Sequence, residues 1–425
     1  MSEASSLKAA LRSSLLPFWL VLALLPLGRA SELGTLLCLF GCVMLFAREP
    51  HALSNHAGAR LLLMLFAAYL LAALLSALDS VAPGRSWLTV AGILRYAPLG
   101  IYACFAIRRW PRLRAMYVAS AIVVACWALD AWVQMFTGWS LGGQAAPHRI
   151  SGIFGADNLK LGPVLASLSP FVVWAARERW GLRGMVAALL LLLGPILLSG
   201  SRAAWLTFAL VVLAYAAFEA RTLKRFALFC AGGLVALALA VGVAWQFSPR
   251  FEARVTRSMQ VFSDSESGVN AALSGRLDIW GVAARMYAGH PINGVGVRGF
   301  RYAYPQYAPK NDHFVVSDEA CGAHEGACHA HQLLLEVASE TGTLGLLIWL
   351  AAAAVAVRAW RRVGSAARRR AFPATLALGV TLFPLNTHLA FYSAWWGLLF
   401  WWLLALWCAA LFVVEESPGV VHGRS

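Results

Sequence analysis

Three side chains in this 425-residue chain combine a reactive type with a placement that asks for a reason: Arg202, Arg276 and His331. Arg202 closes Ser199-Gly200-Ser201-Arg202, a turn between two apolar runs that is too short to reach far into water. Its guanidinium is therefore held near headgroup level, where a planar fork can bind phosphate oxygens bidentately. The alternative is an arginine that only snorkels to the interface. Arg276 lies in Ser274-Gly275-Arg276-Leu277-Asp278-Ile279-Trp280, where Ser274 reads as the N-cap of a helix running to about Ala288. Backbone N–H groups at a helix start already favour an anion; the alternative, which spacing alone favours, is a solvated arginine paired with Asp278. His331 stands in Cys328-His329-Ala330-His331-Gln332, where a long polar stretch enters an apolar run. Imidazole is the side chain best able to move a proton near neutral pH; the alternative is an interfacial histidine that caps a helix.

The elements that must position these groups are mostly membrane. The chain is 60% hydrophobic and 13% charged, with mean hydropathy +0.67, whereas a soluble protein is roughly a quarter charged. Repeated long apolar runs make it an all-α polytopic membrane protein. About twelve spans are expected, near 14–28, 33–47, 61–78, 87–106, 115–136, 158–176, 185–200, 203–218, 226–247, 332–357, 371–388 and 393–414. The chain thus divides into an N-terminal bundle of about nine spans (1–247), a long polar loop (248–331), and about three C-terminal spans with a tail (332–425). No repeat of 20–50 residues stands out. Met1–Arg12 is too mildly basic for a signal peptide, so the first apolar run is expected to be retained.

A net charge of +15 on a soluble protein would suggest nucleic acid; here the positions of the charges argue against such a partner. With a cytoplasmic N-terminus, 21 of the 35 basic residues fall in cytoplasmic segments and five in the short loops opposite. That bias sets topology, with contact to anionic membrane lipids as a minor addition. Both termini are expected in the cytoplasm and Ser248–His331 outside. That loop holds eight basic residues, eight acids and five of the ten histidines. A loop so long between spans is uncommon without a function, and this one is expected to cap a reaction site at the membrane surface.

Within the loop, Arg250–Val261 reads as an amphipathic helix, Ser263–Gly268 as a polar turn, and Tyr302–Pro309 as an aromatic segment suited to an interface or a sugar. Gly294–Gly299 matches G-x-G-x-x-G, but no strand–helix–strand unit surrounds it, so a glycine-permitted turn is expected rather than a dinucleotide site. Cys321 and Cys328 suit a small-loop disulfide in an oxidising compartment. A metal held with His324, Glu325, His329 and His331 is the alternative, although zinc sites usually show tighter paired spacing. The other six cysteines are expected to pack as small hydrophobes. Arg95, Asp130, Glu336 and Glu340 are charges inside apolar runs, where they are expensive and take a functional or strong structural role. Arg95 and Asp130 are expected to pair, or Arg95 to line a cavity. The tryptophans from Trp395 to Trp407 read as an interface belt.

Ser199–Arg202 after one span, Ser274–Trp280, His290-Pro291 with Gly294–Phe300, and His331-Gln332 through Glu340–Gly345, in that order around one large loop, resemble the O-antigen ligase and polymerase superfamily of bacterial inner membranes. The likeness covers about Gly194–Trp349, and among the members the ligases are nearest. The resemblance implies a helical glycosyltransferase of the C type that needs neither metal nor ATP. Its donor would be O-antigen on undecaprenyl pyrophosphate and its acceptor a sugar hydroxyl of lipid A–core, joined on the periplasmic face. By motif match the family's two essential arginines fall on Arg202 and Arg276, and its essential histidine on His331. Arg95, Asp278, His290 and Arg298 are further candidates around the site. A polymerase or protein O-oligosaccharyltransferase of the same superfamily would share the donor. A transporter would be expected to carry polar groups at mid-membrane depth, often with repeat symmetry; here they concentrate on one side.

Overall fold

Long apolar runs leave the backbone no hydrogen-bond partner but itself, so helix is the form available to them in lipid. The computed structural model describes residues 14–146, 149–156, 158–220, 222–247, 273, 275–316, 321–322 and 324–415. The helices, in order, are α1 (Leu16–Ala23), α2 (Glu32–Phe46), α3 (Ala57–Ala77), α4 (Pro83–Ile93), α5 (Tyr96–Ala106), α6 (Trp110–Thr137), α7 (Leu161–Leu198), α8 (Arg202–Glu219), α9 (Leu223–Phe247), α10 (Arg276–Gly289), α11 (Phe300–Tyr307), α12 (His313–Val316), α13 (Leu333–Arg362), α14 (Ser365–Thr381) and α15 (Ala394–Leu411). One two-stranded hairpin, β1 (Trp139–Ser140) with β2 (Gly143–Gln144), follows α6.

Among the described residues eight helices are long and apolar enough to cross a membrane, against about twelve expected; the run at 226–247 is helical throughout, within Leu223–Phe247, though not among the eight. The run at 14–28 is an eight-residue helix followed by a 3-10 segment that breaks at Gly28. The runs at 158–176 and 185–200 count once, as α7, although the expected break between them is there: Gly181 (φ 65°, ψ −152°) separates two helical stretches in a conformation open essentially to glycine alone. The run at 371–388 is helical only to Thr381; Pro384 and Asn386 stop it. The expected helix at Arg250–Val261, the turn at Ser263–Gly268 and the Ser274 cap lie outside the described residues.

On one side of the bundle the ends are tied together. Trp110 N donates to Val414 O, and Val414 N to Arg108 O. Arg370 pairs with Glu415, and Arg177 grips Glu219 through two hydrogen bonds of 2.9 Å. On the opposite side sits the polar loop with a small core of its own, in which Ile279, Val282, Met286, Phe300 and Tyr304 are buried. The expected aromatic surface is thus partly spent on that core: Phe300 and Tyr304 point inward while Tyr302 is exposed. A disulfide joins Cys321 to Cys328.

The glycine-rich loop seats this unit on the bundle. α13 breaks at Gly342 (φ 65°, ψ −166°), which frees the carbonyls of Ser339 and Glu340 and the N–H groups of Thr343 and Leu344. Buried backbone groups of this kind must find partners, and residues 291–296 supply all four. Val295 N donates to Ser339 O (2.9 Å), Gly296 N to Glu340 O (3.0 Å), Thr343 N to Pro291 O (2.8 Å) and Leu344 N to Ile292 O (3.0 Å). On its other edge the loop meets α3 and α4, where Val297 N donates to Ser76 Oγ (3.1 Å) and Ser86 Oγ to Val297 O (2.7 Å). The G-x-G-x-x-G match is therefore a docking strap. Gly342→Ala places a Cβ against the Ile292 carbonyl in a glycine-only conformation. It is expected to cost at least about 1–3 kcal/mol from backbone strain alone, read as a lower Tm in detergent; an unchanged Tm would show the strap is not seated there.

Candidate active site

Both arginines occupy the first position of a helix. Arg202 opens α8, where the Ser201 hydroxyl caps the helix by accepting from Ala204 N (3.1 Å). Gly200 (φ 75°) makes the turn, and Gly162 lies so close to Ser199 that no side chain would fit there. Arg276 opens α10 behind Gly275, left-handed at φ 71° in the cap position expected for Ser274. Unpaired N–H groups at such starts carry partial positive charge, so each guanidinium adds to a field that already favours an anion. His331 precedes α13, which begins with Gln332 Oε1 accepting from Leu335 N (2.6 Å). Its backbone is held at φ 53°, rare for a side-chain-bearing residue and costly unless the surroundings enforce it. Its Nδ1 lies 2.9 Å from Thr387 O. A carbonyl only accepts, so Nδ1 carries the hydrogen and Nε2 keeps its lone pair.

The electrostatics place these groups within one another's fields. Burial, followed by the Arg202 charge, pushes the Arg276 pKa down to about 10, which leaves it cationic at neutral pH. Among the described residues no carboxylate forms an ion pair with Arg276. Burial pushes His331 down to about 4; the Thr387 carbonyl raises it and the Arg276 charge lowers it further. A residue absent from the expected set, His388, joins them: its Nε2 is 2.6 Å from Ser201 Oγ. Burial, then Arg276, then His331 hold its pKa down at about 3. The His329 ring lies tilted against His331, centroids 3.8 Å apart, and its Nδ1 accepts from His331 N (3.2 Å).

Compared with known families, residues 186–350 match the O-antigen ligase model. This segment is similar to the O-antigen ligase family. A comparison with curated proteins gives no match. Arg202, Arg276, His331 and the whole strap onto Gly342 fall inside the O-antigen ligase segment, while Thr387 and His388 lie beyond it.

The remaining sequence candidates scatter. Asp278 is exposed in the first turn of α10, and His290 rests edge-on against Tyr307. Arg298 is buried at φ 61°, and its N–H donates to Glu340 Oε2 (2.8 Å), which makes that part of the chain a brace for the strap. Arg95 does not pair with Asp130: its Nε lies 3.1 Å from Glu32 Oε1, and Asp130 Oδ1 accepts from Leu141 N (2.8 Å). Glu336 Oε1 accepts from Tyr392 N (3.4 Å). Among the described residues no three His, Cys, Asp or Glu side chains are grouped to hold a metal ion. His388 was hidden by its assignment to an apolar run; Phe383-Pro384-Leu385-Asn386 was the signal that the run had ended.

Proposed function

We propose that this protein transfers O-antigen polysaccharide from undecaprenyl pyrophosphate to a sugar hydroxyl of lipid A–core, on the periplasmic face of the bacterial inner membrane. The observation that carries the reading is the pairing, inside the O-antigen ligase segment, of two helix-initial arginines with a histidine whose Nε2 is kept free by the Thr387 carbonyl. In this reading the acceptor hydroxyl oxygen bonds to the anomeric carbon as the carbon–oxygen bond to pyrophosphate breaks. His331 Nε2 takes the hydroxyl proton. The electron pair leaves with undecaprenyl pyrophosphate, whose growing charge meets Arg202, Arg276 and the two helix starts. Fixed donors aimed at developing charge are commonly the largest single contribution to catalysis. The arginines supply the charge stabilisation that a metal gives elsewhere, and the donor's own pyrophosphate bond supplies the driving force, so neither metal nor ATP is required.

The test is transfer by purified protein given both lipids, with chelator and without nucleotide. Lipopolysaccharide ladders on a gel are expected. Longer chains that remain on the carrier would make it a polymerase, glycosylated protein would make it an oligosaccharyltransferase, and lipid movement in liposomes without transfer would make it a transporter. The pH profile gives a second check. His331 must be neutral to act as a base, so kcat/KM falls only as pH drops through its pKa of about 4. A flat profile from about pH 5.5 to 8 is expected, whereas an unperturbed imidazole would halve the rate near pH 6.5. An acid limb at 6.5 would contradict the buried setting of the base.

A further inference from the structure

The loop 382–393, between α14 and α15, lies outside the O-antigen ligase segment, yet two consecutive residues in it reach two separate parts of the site. The Thr387 carbonyl accepts from His331 Nδ1 (2.9 Å), and His388 Nε2 meets Ser201 Oγ (2.6 Å), one residue before Arg202. The Ser201 oxygen already accepts from Ala204 N (3.1 Å), so its own hydrogen is free to go to His388 Nε2. The loop is itself tied down. Asn386 Nδ2 donates to Val380 O and Thr381 O (3.3 Å each), capping the end of α14, and Asn386 Oδ1 accepts from His388 N (3.4 Å). Leu389, Ala390 and Phe391 are buried just beyond. One short, anchored segment thus holds the start of α8 with one residue and the His331 ring with its neighbour.

We propose that His388 is a positioning residue which, through Ser201, fixes the Arg202 turn at a set offset from the His331 ring. Cation and base are thereby held in register by one loop. The inference rests on the transferase reading above. It implies that the register matters at the transition state, where the leaving pyrophosphate and the attacking hydroxyl must be served together; a misplacement of 1 Å can cost about a hundredfold in rate.

Two polar variants test it. The side-chain amide introduced by His388→Gln reaches about as far as imidazole Nε2, whereas the shorter amide introduced by His388→Asn stops near the Nδ1 position. Steady-state transfer should show His388→Gln within about threefold of wild type, and His388→Asn at least about tenfold lower in kcat with donor KM little changed. Adding His388→Asn to Ser201→Ala should lower kcat no further than Ser201→Ala alone, because the Ser201–His388 hydrogen bond is already gone there together with the α8 cap. Equal rates for His388→Gln and His388→Asn would overturn the proposal, as would additive losses in the double variant. A wild type that transfers to no acceptor would overturn the transferase reading instead.

Discussion

Arg276→Ala is expected to lower kcat/KM for transfer by about 10²–10³-fold while leaving the protein folded. The two halves of that expectation come from different observations. Arg276 forms no ion pair among the described residues, so its removal strands no buried carboxylate. The fold of its surroundings rests instead on the core around Ile279, Val282 and Met286. Its neighbour Arg202 pushes on it electrostatically, and two like charges kept close are relieved when an anion arrives. Arg276→Lys should recover only part of the rate, because a point charge replaces a bidentate fork. Arg95→Ala is the contrast: it removes the Glu32 ion pair and should lower Tm rather than the rate per folded molecule. Transfer rate and thermal unfolding, measured on the same preparations, separate the two cases. An Arg276→Ala protein of wild-type rate would remove this residue from the chemistry.

His331→Ala is expected to lower kcat by about 10²–10⁴-fold, the usual contribution of a positioned general base, with the donor KM nearly unchanged. In the proposed mechanism the base acts on the acceptor hydroxyl as the bond forms, so its loss belongs to the transition state and not to donor binding. The backbone at φ 53° makes the prediction sharper. Alanine there suffers the same strain as histidine, so the substitution removes the imidazole without relaxing the turn. A large rise in donor KM with kcat preserved would instead make His331 a binding group.

Much of this was legible in the chain before any coordinates. The helical membrane class followed from composition. Arg202 and His331 were singled out by their places at the ends of apolar runs and Arg276 by its place at the start of a loop helix, where spacing alone favoured a solvated arginine; the resemblance proposed their roles. The glycine-rich match was read as a turn, and the broken helix at Gly342 shows what the turn is for: it takes up the four backbone groups that the break releases. What stayed hidden depends on contacts distant in sequence. The Ser201–His388 bond spans 187 positions, and no local pattern announces it. The separation of Arg95 from Asp130 was likewise invisible, because Glu32 becomes a neighbour only when α2 packs on α5. The break between the runs at 158–176 and 185–200 was legible, and Gly181 supplies it, whereas the early stop of the run at 371–388 was not read from Pro384 and Asn386.

The proposed single displacement, with His331 activating the acceptor while Arg202 and Arg276 hold the departing pyrophosphate, fixes the stereochemistry of the product. Its most direct test is the anomeric configuration of the newly formed linkage, read by NMR from the one-bond carbon–proton coupling and compared with the donor. Inversion is the predicted result, since the hydroxyl enters opposite the leaving group. Retention would contradict the account, because it requires a covalent glycosyl intermediate and therefore a nucleophile at the anomeric carbon that this mechanism does not contain.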